Sequence, residues 1–501
     1  MIGFSLITDK WLPVVYMDGS RGKISPLELC DERIENIDCT RADLQGAAWQ
    51  FLIGLMQSTI APEDDDEWLD VWDEGITEAQ LKEFEKVSPY FIFREQSPSF
   101  MQDFDDLEGN ILPLASLLPE TPGENTVKLN KDFFIKDGSY KNFCPHCAAL
   151  SLFSLQLNAP SGGQGHRTGL RGGGPLTTLM ELHEVNGSSR IPLWRKLWAN
   201  VIPQDSSGLS IPEEFDEKVF PWLAKTRISK SASAVTTPEQ CHPLQSYWGM
   251  PRRIKVDFNH CESGSCDICG QDSSELLNQM IVQNYGTNYV GWIHPLTPYR
   301  RNTKTQDVSN SVKPQRGGLV WKDWLGLSVT NSEKDRTEIP AAVIRISVVS
   351  SVVNHVGVWA FGYDFDNMKV RGWYEHHLPM LLKQELVVPI RLVIEQAMLA
   401  LSALKKSLSM INRQCNYLDS EFWSGTENQF VSLIKELENS SEQKQAIERF
   451  NASIKQFTLN YFDQKAFTLQ MNPAEYKSSM DGRKFLVSLL YKKANSKKKG
   501  K

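Results

Sequence analysis

Two patterns of apolar and polar residues divide this chain, and they meet near residue 375. Before that point, short apolar runs such as FSLIT, YFIFRE and AAVIRISVV predict β-strands. Longer apolar runs, among them RADLQGAAWQFLIGLMQSTI and PLWRKLWANVI, predict helices between the strands. Irregular segments rich in glycine, proline and asparagine separate these elements, and such segments are usually functional loops or disordered. We therefore expect a large mixed α+β domain with long loops over residues 1–375.

Beyond residue 375 the apolar residues follow helical spacing, three or four positions apart, in four amphipathic segments. One segment begins with a capping-box pattern at Thr426 and Gln429. The apolar stripes of the other three are Ile390, Val393, Ile394, Ala397, Met398, Leu401 and Leu404; Ile447, Phe450, Ile454, Phe457 and Tyr461; and Phe485, Leu486, Leu489 and Leu490. Such stripes usually form packed core. We expect a C-terminal four-helix bundle over residues 376–491 and a basic flexible tail over residues 492–501, which contains six lysines.

The composition is that of a soluble globular protein of more than one domain. The chain has 501 residues, of which 41% are hydrophobic and 23% charged, and its formal net charge is −7. A nucleic-acid site must therefore be a local basic patch, because no global positive field attracts nucleic acid. The most apolar helical run, residues 386–404, contains Pro389, Arg391 and Glu395, which argues against a membrane span. Since the start shows no signal-peptide pattern, we expect a cytoplasmic protein without membrane contact.

Two cysteine pairs have the spacing of metal ligands. Cys144 and Cys147 belong to the sequence CPHC, and Cys266 and Cys269 belong to the sequence CDICG. Two thiolates separated by two residues can bind one tetrahedral zinc ion, and a second pair completes the four ligands. Because 118 residues separate the pairs, a shared structural Zn²⁺ site joins two distant loops of the fold. Three further donors lie near the pairs, namely His146, His260 and Cys261.

The first pair also allows a redox interpretation. CPHC followed by AALSLFSLQL places Cys144 and Cys147 at the start of a helix, which lowers a thiol pKa and resembles the motif of periplasmic thiol oxidants. Enzymes of that kind carry the motif in a small exported α/β domain, whereas this chain shows no export signal and has a second pair that can share a metal ion. A cytoplasmic thiol-disulfide oxidoreductase is therefore the alternative function.

Seven glycines crowd the segment APSGGQGHRTGLRGGGPLTT, residues 159–178. The segment lacks GxxxxGK[ST] and the third glycine of the dinucleotide fingerprint, so no nucleotide cofactor is predicted. Arg167 and Arg171 lie among backbone amides with little side-chain cover, a combination that suits phosphate contact or insertion into a narrow groove. A flexible loop without a partner fits the sequence equally well. Neither HExxH nor GxSxG occurs, and no other catalytic set is indicated, so an enzyme is not predicted.

Seven motifs follow one another along the chain in an order that gives a family resemblance. They are LITDKWLPV, SPSFMQ, CPHC, NAPSGGQGHRTGLRGGGPLTT, CDICGQDS, WIHPLTPY and GYDFDNMKVRGWYE. Together they resemble the CasA family, the large subunit of the type I-E CRISPR surveillance complex Cascade, over nearly the whole chain. The resemblance implies recognition of the protospacer-adjacent motif (PAM) of target double-stranded DNA through the minor groove. It also implies help in strand opening and recruitment of a nuclease-helicase, without catalytic activity of the chain itself.

The resemblance assigns DNA contacts to three parts of the chain. The family's glycine loop falls on Ser161, Gly162, Gly163, Gln164 and Gly165. The strand-separating wedge falls within Asp366, Asn367, Met368 and Lys369, and a side chain pushed between base steps there lowers the cost of opening the duplex. The family's basic finger is altered, because Asn284 stands near the expected lysine position. Arg167 joins these DNA-binding residues because of its place in the glycine segment.

A fourth part of the chain is similar to the segment that docks on the 5′ handle of the guide RNA (crRNA) and on a neighbouring Cascade subunit. The residues expected to make this contact are Lys131, Phe133, Phe134 and Lys136. The family also binds zinc through four cysteines, which supports Cys144, Cys147, Cys266 and Cys269 as the ligand set.

Overall fold

The computed structural model describes residues 3–132, 135–231, 233–302, 310–315, 318–332, 335–353, 356–366, 369–380, 384–413, 416–439 and 442–491. The chain divides into two compact units, of which one contains residues 1–318 and 332–377 and the other residues 319–331 and 378–501. The single border predicted at residue 375 leaves residues 319–331 in the first domain, whereas the structure gives them to the second unit. The predicted tail, residues 492–501, lies outside the described residues.

The described residues form short strands and helices of very different lengths. The strands are β1 (Gly3–Ser5), β2 (Leu12–Tyr16), β3 (Arg21–Ile24), β4 (Ile34–Ile37), β5 (Ile92–Arg94), β6 (Asn110–Pro113), β7 (Thr177–Leu182), β8 (Arg253–Val256), β9 (Glu262–Ser265), β10 (Asp272–Leu276), β11 (Gln279–Gln283), β12 (Tyr299–Asn302), β13 (Asn310–Ser311), β14 (Asn331–Ser332), β15 (Arg336–Ile339), β16 (Val356–Asp366) and β17 (Lys369–Pro379). The helices are α1 (Ala42–Thr59), α2 (Asp65–Glu74), α3 (Glu78–Leu81), α4 (Glu124–Lys128), α5 (Pro145–Asn158), α6 (Leu193–Trp198), α7 (Gln204–Ser207), α8 (Leu325–Ser328), α9 (Ala342–Arg345), α10 (Val387–Met410), α11 (Leu418–Gly425), α12 (Glu427–Asn439), α13 (Gln443–Ala466) and α14 (Pro473–Leu490).

The strands pair into small separate sheets. Strand β11 lies between β6 and β8, β2 lies between β3 and β4, and β16 lies between β17 and β7. Strands β9 and β10 form an antiparallel hairpin of their own. Because no large sheet forms among the described residues, helices and loops provide much of the packing between these sheets. The expected α+β class is confirmed.

Helix α1 forms much of the core of the first unit. Its sequence ADLQGAAWQFLIGLMQST is apolar on nearly every side, which is typical of a helix buried all round. The Phe51 ring lies 5.4 to 6.0 Å from the rings of Trp11, Phe91, Phe100, Phe153 and Trp248. Since Phe153 belongs to α5, this aromatic core packs α5 on α1 and fixes the helix that CPHC begins.

The second unit contains the predicted helices as α10, α12, α13 and α14, together with the short α11 between α10 and α12. Most of the predicted stripe residues are buried in one common core, including Ile390, Phe450 and Leu486. Met398 and Phe485 are exceptions, because they are 52% and 38% exposed. Both residues fit the helical spacing of their stripes. Spacing alone, however, does not determine how wide the buried face of a helix is.

By its length and its mean hydropathy of 1.7, α10 alone among the described helices qualifies as a candidate membrane span. Half of its most apolar window is buried inside the protein. The buried positions, among them Ile390, Val393 and Ala397, belong to the core of the second unit. The core helix of a soluble protein meets the same criteria of length and hydropathy, so α10 is weak evidence for a membrane.

Replacement of Trp321 by alanine is expected to destabilise the second unit by about 3–5 kcal/mol, because it leaves a large cavity. Trp321 is fully buried, stacks on Phe430 at 4.5 Å between ring centroids, and donates from Nε1 to Thr426 Oγ1 at 3.0 Å. Urea unfolding of the full chain, with hydrogen exchange of α12 and α13 to localise the effect, measures the loss. The exposed Tyr417 is the control, and an equal effect of Tyr417→Ala would contradict the prediction.

Candidate metal centre and nucleic-acid interface

Four cysteine thiols meet where the start of α5 contacts the hairpin β9–β10. The Sγ atoms of Cys144, Cys147, Cys266 and Cys269 all lie within 4.8 Å of one another. Four sulfurs placed ~2.3 Å from a central ion are ~3.8 Å apart, and the Sγ atoms of Cys144 and Cys269 lie 3.9 Å apart. The four cysteines predicted from the spacing of the two pairs therefore come together and could hold a metal ion.

The first pair lies on a helix start that the chain forms for local reasons. Cys144 is the N-terminal cap of α5, Pro145 is the first helical residue, and Cys147 lies in the first turn. Just before the cap, Phe143 exchanges two backbone hydrogen bonds with Leu277, at 2.8 and 2.9 Å. Because residue 277 follows β10, this bridge holds the second cysteine pair beside the first.

The second pair lies in the loop of the hairpin β9–β10. Gly270 has a φ of +71°, a conformation that glycine adopts without strain, and its N–H donates to the Cys266 carbonyl oxygen at 2.8 Å. Asp267 Oδ2 accepts from the N–H groups of Lys141 and Asn142 at 2.7 and 2.8 Å. The hairpin loop is therefore bound to the segment that precedes α5.

The pKa values of the thiols differ between the two pairs. Contact with the Cys144 thiol lowers the pKa of Cys266, and it lowers the pKa of Cys269 to about 6. The hydrogen bond with Cys144 raises the pKa of Cys147. A dithiol oxidoreductase needs a lowered pKa in its own CxxC pair. The Sγ atoms of Cys266 and Cys269 lie within 4.8 Å of those of Cys144 and Cys147, so the geometry favours a metal site shared by the two pairs over a redox site of the first pair alone.

The three alternative donors have other contacts. Burial lowers the pKa of His146 to about 4, and its Nδ1 lies 3.3 Å from Lys23 Nζ. His260 Nδ1 lies 2.6 Å from Asp257 Oδ2, and Cys261 Sγ lies 3.1 Å from a backbone carbonyl oxygen. Among the described residues, the cluster of potential metal ligands contains the four predicted cysteines and none of these three donors.

The glycine loop follows α5 and is held by residues that come after β11. Asn284 Nδ2 donates to the Gln164 carbonyl oxygen at 2.9 Å, and the Tyr285 N–H donates to the Gly165 carbonyl oxygen at 2.8 Å. The structure therefore brings together Asn284 and the glycine loop, two separate parts of the predicted DNA-binding set. The contact of Asn284 is made within the protein, to the backbone of the loop.

The loop glycines serve different purposes. A Cβ atom at Gly163 would meet nothing within 4 Å, whereas one at Gly162 would lie 2.5 Å from His166 Cβ. Gly165 has a φ of +79°, and a Cβ there would lie 2.9 Å from Asn284 Cβ. Ser161, Gly163 and Gln164 are exposed. The backbone at Gly163 is thus uncovered, while Gly162 and Gly165 are required by close packing.

The two arginines of the glycine segment bind neutral groups. Arg167 is half-buried and donates from Nε to Ser229 Oγ at 2.6 Å. Arg171 is buried, with 4% exposure, and donates to Thr177 Oγ1, Thr297 Oγ1 and Gln50 Oε1 at 3.0, 2.9 and 2.7 Å. Burial lowers the pKa of Arg171 to about 10. Arg171 therefore stabilises the fold, and of the alternatives left open for the glycine segment, phosphate contact does not apply to this residue, because its guanidinium is buried.

The predicted wedge lies between two long neighbouring strands. β16 ends at Asp366 and β17 begins at Lys369, and both of these residues are exposed. Asn367 and Met368 connect the two strands and lie outside the described residues. Arg371 of β17 donates to both carboxylate oxygens of Asp364 of β16, at 2.6 and 2.9 Å, which ties the strands together near their connection.

The predicted RNA-docking segment and the wedge border one groove. Lys131 and Lys136 are exposed, while Phe133 and Phe134 lie outside the described residues. A groove of about 1040 Å³ is lined by Lys131, Lys369, Arg371 and Trp373, among other residues. Two parts of the chain that are more than 200 residues apart in sequence therefore place cations along the same groove.

Comparison with known protein families identifies the family in which these features occur. A sequence model of the family described as CRISPR-associated protein Cse1 matches residues 5–461 of the chain. The chain belongs to the CRISPR-associated Cse1 family.

Solved structures agree with the Cse1 fold. CasA (Cse1) of Thermus thermophilus has a TM-score of 0.72 at 15% identity and covers 98% of this chain and 99% of its own. Cse1 of Thermobifida fusca has a TM-score of 0.72 at 16% identity, with 98% and 97% covered. One chain of a structure described as a CRISPR RNA-guided surveillance complex has a TM-score of 0.63 at 14% identity, with 97% and 100% covered.

One residue that contacts the glycine loop of this Cse1-family chain was not predicted from the sequence. Arg252 precedes β8 and donates from Nη2 to the Pro160 carbonyl oxygen at 2.6 Å, while its Nη1 contacts His166 Nδ1. Arg252 belongs to no motif and lies 86 residues after His166. The sequence contains no signal for such a contact, because only the tertiary fold brings β8 beside the end of α5.

Proposed function

We propose that this Cse1-family chain is the large subunit of an RNA-guided antiviral surveillance complex, in which it recognises the PAM of target double-stranded DNA through the minor groove. Membership in the Cse1 family and the likeness to a chain of a CRISPR RNA-guided surveillance complex support this assembly. In the proposal, the connection between β16 and β17 helps to open the strands. The chain then recruits a nuclease-helicase, which degrades the target. The chain itself cleaves nothing.

One observation carries the DNA-recognition part of the proposal. The loop 161–165 is tied on both sides, and a Cβ at Gly163 would still meet nothing within 4 Å. A fixed loop with uncovered backbone suits the minor groove, which is about 6 Å wide and excludes bulky side chains. Arg167 lies beside this loop, is half-buried and makes no ion pair with a described carboxylate. Its charge therefore remains available to attract phosphates.

The other predicted residues take supporting roles in this proposal. Lys131, Phe133, Phe134 and Lys136 dock crRNA and a neighbouring subunit, and Asn367, Met368 and Lys369 form the strand-separating wedge. The cysteine cluster holds one structural Zn²⁺, for which four sulfurs at tetrahedral distances are suitable ligands. The protein acts in the cytoplasm, and its two units serve as separate domains.

The proposal is tested by assembling the complex with its guide RNA, with and without this chain. Duplexes that share one target but differ in the flanking motif are then compared. With the chain present, the affinity should depend on the motif and should fall with rising salt, because phosphate contacts contribute. Without the chain, motif dependence and recruitment of the nuclease-helicase should both disappear, while a single-stranded target still pairs with the guide. Motif dependence that persists without the chain would refute the proposal.

A further inference from the structure

The backbone of Arg252 is fixed independently of its side chain. Its N–H donates to Gln156 Oε1 at 2.9 Å, and Gln156 Nε2 donates back to the Arg252 carbonyl oxygen at 3.1 Å. Gln156 is fully buried in α5. Because α5 ends two residues before Pro160, the same helix fixes both the backbone of Arg252 and the start of the glycine loop.

Arg252 is half-buried, and its guanidinium binds neutral groups and no described carboxylate. Nη2 donates to the Pro160 carbonyl oxygen, Nη1 contacts His166 Nδ1, and the buried Nε has no partner among the described residues. The neighbouring Arg253 behaves in the usual way and donates from Nε to Asp103 Oδ2 at 2.7 Å. A partly desolvated charge without an opposite charge is costly, and burial lowers the pKa of Arg252 to about 10. The contacts with Pro160 and His166 offset part of this cost.

Those contacts close the glycine loop at its two ends. Pro160 and His166 flank the segment 161–165, so one planar guanidinium bridges the residues on either side of it. The contacts of Asn284 and Tyr285 bind the second half of the same segment from another direction. A segment of five residues with three glycines has many conformations when it is free. Fixing it before DNA arrives removes an ordering cost from binding.

We propose that Arg252 is the positioning residue of the glycine loop, and that its bridge from Pro160 to His166 holds residues 161–165 in the shape that presents Gly163 to the DNA. The guanidinium acts through the loop and does not itself reach the bases. This inference rests on the proposed function, since it takes the loop as the part that recognises the PAM.

The bridge makes a specific demand on His166. Nδ1 can accept from Arg252 only while the imidazole is neutral and carries its proton on Nε2. Arg252, which precedes β8, faces the ring. Arg167 is the next residue of the loop but binds Ser229, and none of the described carboxylates pairs with His166. Burial, followed by the charge of Arg252, lowers the pKa of His166 from 6.5. The bridge is therefore intact above about pH 6.5. It weakens as the pH falls, because an imidazole that has left the bridge is protonated more readily than one within it, and protonated Nδ1 can no longer accept from Arg252.

Two measurements on the full chain test the proposal: hydrogen exchange of the 161–166 amides in the free protein, and motif-dependent duplex binding by the assembled complex. Arg252→Met should speed the exchange and weaken motif-dependent binding by about tenfold. Lys313→Met is the charge control, since Lys313 is an exposed residue near Gly172 and its replacement removes a positive charge without touching the bridge; it should leave the exchange unchanged. Arg252→Lys keeps the charge but cannot bridge both acceptors, so it should resemble Arg252→Met more than the parent.

His166→Asn provides a second test that does not depend on the stability of an Arg252 variant. Asparagine keeps a hydrogen-bond acceptor but does not titrate. Hydrogen exchange of the loop amides is therefore measured at about pH 7.5 and at about pH 5.5 and corrected for the intrinsic exchange rate. The difference between the two pH values should be smaller in His166→Asn than in the parent. Unchanged loop exchange in Arg252→Met, or an equal acid response in His166→Asn, overturns the positioning role. Faster loop exchange with unaltered motif-dependent binding would keep the positioning role and instead refute the loop as the PAM-recognising part.

Discussion

Replacement of Cys266 by serine is expected to release the metal ion that we propose for the four cysteines and to open the hairpin β9–β10. All four residues of β9 are exposed, whereas Ile268 of the loop and Leu276 of β10 are buried. The cluster of four sulfurs joins the loop of this hairpin directly to the start of α5. We expect the free energy of opening the hairpin to fall by about 4 kcal/mol or more, the range typical of a lost metal site.

The metal content of the purified chain and hydrogen exchange of residues 262–276 measure this effect. The parent should contain one ion per chain, and Cys266→Ser should contain less, with faster exchange in the hairpin and at the start of α5. Cys30→Ser is the control, because Cys30 is half-buried and lies outside the cluster. Acid should also release the ion, since protons compete with the metal for the thiolates.

The same variant separates the metal site from the redox alternative. A dithiol enzyme that uses Cys144 and Cys147 would lose turnover in Cys144→Ser but retain it in Cys266→Ser. A metal site loses its ion in both variants, because each thiolate supplies one of four ligands. A chain without metal, in which Cys266→Ser changes neither the exchange nor the melting temperature, would contradict the metal site.

The cysteine cluster could be predicted from sequence because its signal is local. CxxC spacing places two sulfurs on one side of a turn wherever the turn lies in the fold. The sequence does not show which tertiary contacts join the pairs. The bridge between Phe143 and Leu277 and the contacts of Asp267 provide that link. These are backbone and loop contacts between segments more than 100 residues apart, and no periodicity marks them.

The glycine segment illustrates the opposite situation. The sequence indicates that backbone freedom matters somewhere in residues 159–178, but it treats seven glycines alike. The fold distinguishes them, since Gly169 packs against the Leu157 carbonyl oxygen, Gly165 packs against Asn284, and Gly163 faces open space. Likewise, Arg171 lies in a polar-looking segment and is nevertheless buried among Thr177, Thr297 and Gln50, all of which come from other elements or turns.

The helical part of the chain was predicted well because the period of its apolar residues is strong over long segments. Residues 319–331 were missed as part of it, since GLVWKDWLGL gives only a short run without a sustained period. Trp321 and Trp324 from this run are fully buried in the core of the second unit. A short apolar run has no intrinsic partner, so only tertiary packing decides which domain it joins.

Gly163→Leu is expected to weaken motif-dependent duplex binding by about 10- to 100-fold, which corresponds to about 1.4–2.8 kcal/mol. A leucine side chain at this position meets no protein atom at its Cβ, so the free energy of unfolding should change by no more than about 0.5 kcal/mol. The same side chain would widen the part of the loop that we propose to enter the minor groove, and it would clash with the groove walls. Binding of a single-stranded target through guide pairing should be unaffected, since the motif is not used there.

Two matched glycine replacements define what the Gly163 result means. Gly264→Leu is the neutral control, because Gly264 is exposed and a Cβ there makes an ordinary contact of 3.4 Å with Leu276. Gly165→Leu should instead lower both stability and binding, since Gly165 needs a φ of +79° and abuts Asn284. Only Gly163→Leu should therefore separate recognition from folding. If its binding to the motif-bearing duplex equals that of Gly264→Leu, the uncovered backbone at residue 163 does not contact the DNA, and recognition must be assigned to another surface.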